Sequence, residues 1–295
     1  MPDNSIQRPV LLHAHLFKNA GSTIDWALRR SFGRSFAEYA DDRAMQRGGM
    51  PCLMQFLARN VKTRVLSSHC MPIEPSAAPG SNLFWIVMLR DPLDRIGSVY
   101  TFDALKRSRH ALRARMAAET DIRGYVQWAL SPDAPTVIKN FQTRYLAGAR
   151  SRSIGVGREH LRAALDVLSA ERVAFGMVER FDESMVVFEE RLRPVFPEID
   201  LSYVVRNYRR DGLLEKRKTA LQRELGDDLY QRAVADNEYD IELHNRLSEE
   251  HRLLTRELPD FDAKLAEFRA RCGRRRKMLW ALRDKIASFK HKISI

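Results

Sequence analysis

The chain has 295 residues, a net charge of +12 at pH 7, and apolar and aromatic contents of 44% and 9%. This length and composition are typical of a globular protein of one or two domains, and no apolar run approaches the roughly 18–20 residues that cross a bilayer. The charge is uneven, because residues 274–295 carry eight Lys or Arg against one Asp, which leaves +5 for the other 273 residues. The body is therefore only mildly basic, and we expect no nucleic-acid partner.

The expected compartment follows from the N-terminal and cysteine patterns. The first residues, MPDNSIQRP, lack a basic stretch followed by an apolar one, so they do not predict a secretory signal. The cysteines, Cys52, Cys70 and Cys272, are too few and too scattered for a disulfide framework, and they lack the spacing of a metal site. We expect a cytoplasmic protein without a metal cofactor.

Apolar periodicity predicts strands that alternate with helices. In chain order these are a strand at 10–17, a helix at 22–32, irregular chain at 34–50, a helix at 51–60, a strand at 64–68, a loop at 71–82, a strand at 83–89 and a helix at 92–106. Next come helices at 108–119, 121–130, 135–147 and 158–169, a strand at 172–178, a helix at 181–193 and helical chain at 212–271. The alternation predicts an α/β fold with a small central parallel sheet flanked by helices and a helical C-terminal part.

We expect a single domain over residues 1–272 and a basic amphipathic tail over 273–295. In the tail, helical spacings of four, four, three and four residues separate Met278, Leu282, Ile286, Phe289 and Ile293. With its flanking cations, this stripe is typical of a helix that contacts an anionic membrane at the inner face. An oligomer contact and a frayed basic terminus are the alternatives.

The first candidate site is the loop that follows strand 10–17. Residues 18–23, KNAGST, bring a lysine, a glycine and two hydroxyl side chains to the start of a helix, and such a point binds an anion. In the usual nucleotide loop the lysine follows the glycines, whereas Lys18 precedes Gly21 here. The alternative is an ordinary strand–helix turn in which Ser22 caps the helix.

The second candidate site follows strand 83–89, whose apolar character on both faces is expected of a central parallel strand. Arg90 then lies at the carboxyl end of that strand, and its guanidinium matches the oxygens of a phosphate. Ser98 lies eight residues further on, so we expect an irregular first helical turn to bring both residues to one phosphate. The alternative is an ordinary helix start with a cap by Asp91 and solvent around Asp94 and Arg95.

Together the two loops resemble the sulfotransferase superfamily that uses 3′-phosphoadenosine 5′-phosphosulfate (PAPS) as donor. HLFKNAGST is similar to its 5′-phosphosulfate loop, H-x-P-K-[TS]-x-G-[ST]-[ST], with Phe17 where the family has proline. LRDPLDRIGSVY is similar to its 3′-phosphate motif, R-[DN]-P-x-[DE]-R-x-x-S-x-Y. Three further stretches are similar to the carbohydrate branch that includes the uronyl 2-O-sulfotransferases: residues 140–148, 173–184 and 236–246.

The resemblance implies a P-loop-like three-layer fold and a role for each residue of the two loops. Lys18 would contact the bridging and sulfuryl oxygens of PAPS and stabilise the leaving phosphate. The 5′-phosphate would be held by the rest of the first loop: Asn19, Ala20, Gly21, Ser22 and Thr23. The 3′-phosphate would be held by Arg90 and Ser98. Such chemistry depends mainly on in-line positioning and electrostatic stabilisation.

The acceptor hydroxyl also needs a base. His69 follows strand 64–68 and is expected at the same edge of the sheet, and in the resembling branch a histidine at this place is the proposed base. A histidine titrates near neutral pH, which suits this role. His15 is the second candidate, although we expect it to orient the loop, and Glu74 is the third.

Other polar residues give weaker predictions. Asn140, Gln142 and Arg144 are expected on a solvated helix face, although Arg144 is long enough to reach a nucleotide or an acidic sugar. A basic cluster that fits either an anion clamp or a charged surface is formed by Arg206, Arg209 and Arg210. Cys70 adjoins His69, but the chemistry needs no thiol.

The sequence thus predicts a PAPS-dependent sulfotransferase that modifies a hydroxyl of a carbohydrate or glycolipid, with its oligomeric state open. One alternative is a small-molecule phosphotransferase with an atypical phosphate loop, although no clear carboxylate follows a second strand to hold Mg²⁺. The other is a non-enzymatic basic adaptor for a membrane or nucleic acid.

Overall fold

A computed structural model describes residues 6–77, 79–106, 111–148, 155–204 and 213–293, with side chains described up to Met278 except that of Thr136. The strands are β1 (Val10–Ala14), β2 (Phe36–Glu38), β3 (Val65–Ser68), β4 (Leu83–Leu89) and β5 (Val173–Met177). They form one parallel sheet in the order β2-β3-β1-β4-β5. The four predicted strands are confirmed, except that the first ends at Ala14 and not at residue 17, and β2 is an additional edge strand that is too short to show a pattern.

Helices lie on both faces of this sheet, as predicted. Those of the first half are α1 (Gly21–Phe32), α2 (Asp42–Arg59), α3 (Pro92–Ala104), α4 (Leu112–Glu119), α5 (Ile122–Ala129) and α6 (Phe141–Leu146). Those of the second half are α7 (Arg158–Leu168), α8 (Phe181–Leu192), α9 (Leu214–Leu225), α10 (Asp227–Ala235), α11 (Glu238–Glu257) and α12 (Phe261–Ile293). The fold is α/β with a central parallel sheet between helical layers.

Two helical segments differ from the prediction. The chain at 34–50 was expected to be irregular, but α2 already begins at Asp42, and Asp41 caps it by accepting a hydrogen bond from Ala44 N. Gly49, with φ 54° and ψ −140°, is not helical, so α2 consists of two helical parts separated by a kink, and the second part begins close to the helix predicted at 51–60. The helix expected at 135–147 is only α6, because Asn140 with φ 41° starts a new helix after a 3₁₀ turn.

The apolar strands divide their side chains between two cores, one on each face of the sheet. On one face, Leu12 and Trp85 pack with residues of α2, α7 and α11. On the other face, Leu11 and Ile86 pack with residues of α1, α8 and α12. Because neighbouring residues of a strand point to opposite faces, both faces are apolar and the strand reads as a continuous apolar run.

Residues of the helical C-terminal part join the cores on both faces of the sheet, and the single domain over 1–272 stays a prediction. Leu243 and Leu247 of α11 join the core of one face, and Leu265 and Phe268 of α12 join that of the other. The helix α12 continues across the predicted boundary at 272/273, and a separate tail stays a prediction because most of its side chains lie outside the described residues. None of the helices in the described ranges combines the length and apolar character that a bilayer span requires.

A buried histidine gives a prediction about stability. His251 of α11 is fully buried against α8, with its Nε2 3.0 Å from Ser184 Oγ. Burial and the nearby charge of Arg180 lower the pKa of His251 from 6.5 to about 4. Between these pH values the unfolded chain binds a proton that the folded chain does not, so the free energy of unfolding falls by about 3 kcal/mol as the pH falls through this window.

Urea denaturation between pH 4 and 7 measures this effect, with His251→Leu as the comparison because leucine fills a similar volume and does not titrate. The variant is expected to lose this part of the pH dependence. Equal slopes of stability against pH in both proteins would contradict the assignment to His251.

Candidate active site

The candidate site lies at the carboxyl ends of two adjacent strands, β1 and β4. From β1 the chain crosses to β2 on one side of the sheet, and from β4 it crosses to β5 on the other side. Ligands of open parallel sheets bind beyond the strand ends where the chain direction diverges in this way. The loops that follow β1 and β4 are therefore neighbours at this position.

The loop after β1 leaves the start of α1 open to an anion. Lys18 and Ala20 both adopt left-handed backbone conformations, with φ of 67° and 62°. Ala20 is the N-cap residue of α1, and its side chain accepts no hydrogen bond from the N–H groups of the first turn. That turn also contains no acidic residue. The first N–H groups of a helix lack acceptors within the helix, so this end carries positive potential. The alternative in which Ser22 caps the helix is wrong.

Gly21 is required by a neighbouring side chain. A Cβ atom at this position would lie 2.1 Å from Cδ2 of the His15 ring. Close packing against His15 is therefore the physical reason for a glycine at this position. Lys18 and Ala20, not Gly21, have the positive φ angles of the loop.

Lys18 lies among aromatic rings and other cations. Its Nζ is 4.6 Å from the centre of the Phe102 ring, and Phe102 packs edge-on against Phe17. Burial lowers the pKa of Lys18, as do the charges of Arg90 and Arg95, against the opposing effect of a nearby aspartate. An anion bound here would stabilise the charged lysine. Phe17, where the resembling family has proline, supports the lysine through this aromatic pair.

Arg90 connects the two loops directly. Its Nη1 donates a hydrogen bond of 3.0 Å to the Lys18 carbonyl, and its Nε and Nη2 lie 2.9 and 2.8 Å from Asp94 Oδ2. Asp94 is shared with Arg217 of α9, whose Nε lies 2.6 Å from the other carboxylate oxygen. Burial opposes ionisation of Asp94, but Arg217 and Arg90 hold the pKa of that carboxyl below its ordinary value. The two predicted anion loops are thus in contact.

Ser98 lies on the face of α3 that borders both loops. The helix is regular from Pro92, so the irregular first turn that we expected is wrong. Asp94, Ser98 and Phe102 are spaced by four residues and share one helix face. Because Asp94 contacts Arg90 and Phe102 contacts Lys18, Ser98 lies between these two contacts. A role for Ser98 in binding stays a prediction.

The helix start at Asp91 is capped, but the charged residues after it are not in solvent. Asp91 Oδ1 accepts hydrogen bonds of 2.9 Å from the N–H groups of Leu93 and Asp94. Arg95 is only 1% exposed, and its Nε donates to the Phe17 carbonyl at 3.0 Å. Burial lowers the pKa of Arg95 to about 9. The alternative that placed Asp94 and Arg95 in solvent is wrong.

Asn19 and Gln142 lie behind the loops. The Asn19 side chain is buried, and its Nδ2 donates hydrogen bonds of 2.7 Å to the Met88 carbonyl and to Gln142 Oε1. Its side chain therefore supports the loop from the inside. Asn140 and Gln142, expected on a solvated helix face, are buried, and that expectation is wrong for both. Arg144 is half-buried.

His69 lies at the carboxyl end of β3, exposed beside the first loop. Its Nδ1 is 2.9 Å from the carbonyl oxygen of His15, and its ring centre is 4.1 Å from that of His15. A carbonyl oxygen only accepts hydrogen bonds, so Nδ1 is the protonated nitrogen of neutral His69. The Nε2 lone pair is consequently able to accept a proton.

His15 belongs to a buried network with Asp25 of α1. The carboxylate oxygens of Asp25 lie 2.7 Å from Nδ1 of His13 and 2.7 Å from Nδ1 of His15. Burial opposes ionisation of Asp25, but the two histidines hold the pKa of that carboxyl well below its usual range. This network orients His15, and the role of His15 in positioning the loop stays a prediction.

The same three residues have metal-ligand chemistry, because one ligand atom of each lies within 4.8 Å of the others. In the described structure both Asp25 oxygens already accept hydrogen bonds from the imidazoles, which satisfies the carboxylate without a cation. We therefore interpret the group as a hydrogen-bond network.

The remaining predicted residues lie in different surroundings. Glu74 is half-buried and precedes a 3₁₀ turn over Pro75–Ala77, and the Cys70 side chain is also half-buried. The cluster of Arg206, Arg209 and Arg210 lies outside the described residues. Sequence patterns did not indicate Asp25 or Arg217, because neither has a local spacing that relates it to the loops it supports.

Comparison with known proteins found limited similarity. No family model matches the chain. The chain is 28% identical over 250 residues to an uncharacterised protein of Archaeoglobus fulgidus. The aligned part covers 82% of this chain and 97% of that protein. A crystal structure of a sulfotransferase from Alicyclobacillus acidocaldarius is similar with a TM-score of 0.38 and 16% identity, over 80% of this chain and 97% of that one.

The packing of His15 gives a test by a matched pair of glycine substitutions. Gly21→Ala pushes a methyl group into the His15 ring and is expected to lower the free energy of unfolding by about 1–3 kcal/mol. Gly97→Ala in α3 meets open space and is expected to raise stability by up to about 1 kcal/mol, because alanine favours a helix. Urea denaturation measures both values, and a Gly21→Ala protein as stable as wild type would contradict the packing.

Proposed function

We propose that the protein transfers a sulfuryl group from PAPS to a hydroxyl of a carbohydrate or glycolipid. The observation that carries this proposal is the hydrogen bond from Arg90 to the Lys18 carbonyl, because it joins the two loops that resemble the donor-binding motifs. The donor has two phosphate groups, and the site has two cationic loops in contact. The acceptor class follows from the three further stretches that resemble the carbohydrate branch.

The residues present fit such a donor. Two side-chain cations, Lys18 and Arg90, and the uncapped start of α1 converge on the strand ends, and Arg95 adds a buried positive charge behind them. The carboxylate of Asp94 only partly offsets this charge, because it is shared between Arg90 and Arg217. This excess of positive charge favours a multiply charged anion.

PAPS supplies an activated sulfuryl group. In our proposal the 5′-phosphate lies against Lys18 and the start of α1, and the 3′-phosphate lies against Arg90 and Ser98. Lys18 offsets the negative charge that develops on the oxygen between phosphorus and sulfur as the sulfur–oxygen bond breaks. A cation that is fixed in place before the reaction stabilises this charge with little reorganisation.

His69 is the proposed base. Its Nδ1 is held by the His15 carbonyl, so its Nε2 accepts the proton of the acceptor hydroxyl while that oxygen forms the new bond to sulfur. The Asp25 carboxylate fixes His15, and the His15 ring packs at a tilt of 44° against the ring of the exposed His69. His15 itself is hydrogen-bonded to Asp25 and is proposed to position the loop, and it stays the second candidate for the base, with Glu74 the third.

The three further stretches that resemble the carbohydrate branch support the proposal by their location. Gln142, from the first stretch, contacts Asn19 and Arg90 of the two loops. Glu179, from the second, accepts a hydrogen bond of 2.7 Å from Asp91 N, and His244, from the third, lies 3.3 Å from Glu179. These distant parts of the chain therefore meet behind the candidate donor site.

Arg90→Ala tests the assignment of the 3′-phosphate. We expect the affinity for 3′,5′-bisphosphoadenosine to fall roughly tenfold to hundredfold, because a charge-assisted contact is lost, and the affinity for 5′-AMP to change by less than about threefold. Isothermal titration calorimetry measures both. Arg162→Ala, at an exposed position of α7, is the control for the change in net charge. Equal losses for the two nucleotides in Arg90→Ala would contradict the assignment.

His69→Ala tests the base. Donor binding is expected to stay within about twofold of wild type, whereas turnover falls by about 10²–10⁴-fold because general-base catalysis is lost. Turnover is measured by mass spectrometry of sulfated products after incubation of labelled donor with glycan and lipid extracts of the host. A near-normal rate in His69→Ala would move the base to His15 or Glu74.

A further inference from the structure

We infer that Gln142 is a positioning residue that sets the separation of the two phosphate-binding loops. The inference rests on the proposed function, since it concerns how the chain holds both phosphates of one nucleotide. Gln142 is the second residue of α6, 123 residues after Asn19 and 52 residues after Arg90 in the chain. Its side chain is 1% exposed, so its role is exerted through the loops and not through contact with a ligand.

The amide of Gln142 bridges the loops with three hydrogen bonds. Its Oε1 accepts hydrogen bonds from Asn19 Nδ2 at 2.7 Å and from Arg90 N at 2.9 Å. Its Nε2 donates one of 2.8 Å to the Arg90 carbonyl. Asn19 also donates to the Met88 carbonyl of β4, so the first loop is tied to the strand that carries Arg90. One buried amide thus joins the residue after Lys18 to both backbone groups of Arg90.

Gln142 is itself held from behind by a reciprocal pair of caps. The Asp240 carboxylate of α11 accepts hydrogen bonds from Gln142 N at 3.0 Å and Thr143 N at 2.7 Å, which caps α6. In return, Asn140 Oδ1 accepts hydrogen bonds of 3.0 Å from the N–H groups of Tyr239 and Asp240, which caps α11. Two helix starts therefore fix each other, and the base of the Gln142 side chain has little freedom to move.

This arrangement has a specific consequence for nucleotide binding. A bisphosphate contacts both loops at once. If the folded protein does not already hold the loops at a fixed separation, the entropy lost in fixing them reduces the affinity for the bisphosphate. A monophosphate needs only one loop and does not carry that cost. Removal of the bridge is therefore expected to lower the affinity for the bisphosphate by a larger factor than the product of the factors for the two monophosphates.

The experiment compares wild type with Gln142→Met, which keeps the side-chain length and removes all three hydrogen bonds. Gln127→Met, at an exposed position of α5, is the matched control. Calorimetric titrations use 3′,5′-bisphosphoadenosine, 5′-AMP and 3′-AMP at a temperature where thermal melts show each variant folded. We expect the loss in bisphosphate affinity to exceed the product of the two monophosphate losses by about tenfold, and no change in the control.

Gln142→Glu is the second variant, and it keeps the volume and the two accepted hydrogen bonds. Its negative charge weakens the binding of each phosphate separately, and this effect is present both in the bisphosphate loss and in the product of the two monophosphate losses. The excess of the bisphosphate loss over that product is therefore expected to be much smaller than in Gln142→Met. If Gln142→Met does not fold, Asn19→Ala takes its place, because it removes the bridge from the side of the first loop. Asn19→Ala and Gln142→Glu, as two separate variants, are then compared in the same titrations.

Three outcomes separate the inference from the proposed function. Bisphosphate binding by Gln142→Met equal to that of wild type would overturn the role of Gln142 alone. A bisphosphate loss equal to or below the product of the monophosphate losses would also overturn it, because general loosening of the fold produces that result. Failure of the wild-type chain to bind 3′,5′-bisphosphoadenosine would overturn the proposed function and the inference with it.

Discussion

The hydrogen bond from the Arg90 guanidinium to the Lys18 carbonyl is the contact on which the site depends, because it joins loops that lie 72 residues apart in the chain. It places a second cation beside a lysine whose pKa is already lowered by burial. Asp94 offsets part of the charge but is divided between Arg90 and Arg217. A folded protein that holds cations this close is stabilised by any anion that binds between them. Affinity for an anionic ligand and the mutual repulsion of these cations in the free site thus have one cause.

The surroundings of this contact are rigid at the back and open at the front. Behind the loops, Asn19 and Gln142 are buried and hydrogen-bonded to backbone groups of both strand ends. Below the first loop, the Asp25 carboxylate holds two histidines, one of which packs where only a glycine fits in α1. At the front, His69 is exposed and anchored by one nitrogen. Such a site keeps its charged groups in place while it admits a substrate, which is what electrostatic catalysis requires.

Local patterns predicted the parts of this structure that local forces determine. The apolar runs gave β1 and β4, and the loop after each of them lies at the same sheet edge because the strands are parallel neighbours. The edge strand β2 escaped prediction because three residues show no periodicity. The burial of Gln142 and Arg95 also escaped it, since their partners lie far away in the chain and nothing in a helical stretch of mixed polarity indicates which polar residue faces inward. Long-range hydrogen bonds of this kind are visible only once the helices are placed.

The claim that this is a site for a 3′-phosphorylated donor is tested most directly on the wild-type chain. Calorimetric titrations with 3′,5′-bisphosphoadenosine and with ATP, each in Mg²⁺ and in EDTA, compare the donor product with the ligand of a phosphotransferase. We predict that the bisphosphate binds at least about tenfold more tightly than ATP and equally well in EDTA, because the chain's own cations hold both phosphates. Tighter binding of ATP that is lost in EDTA would contradict this and would indicate a metal-dependent phosphotransferase.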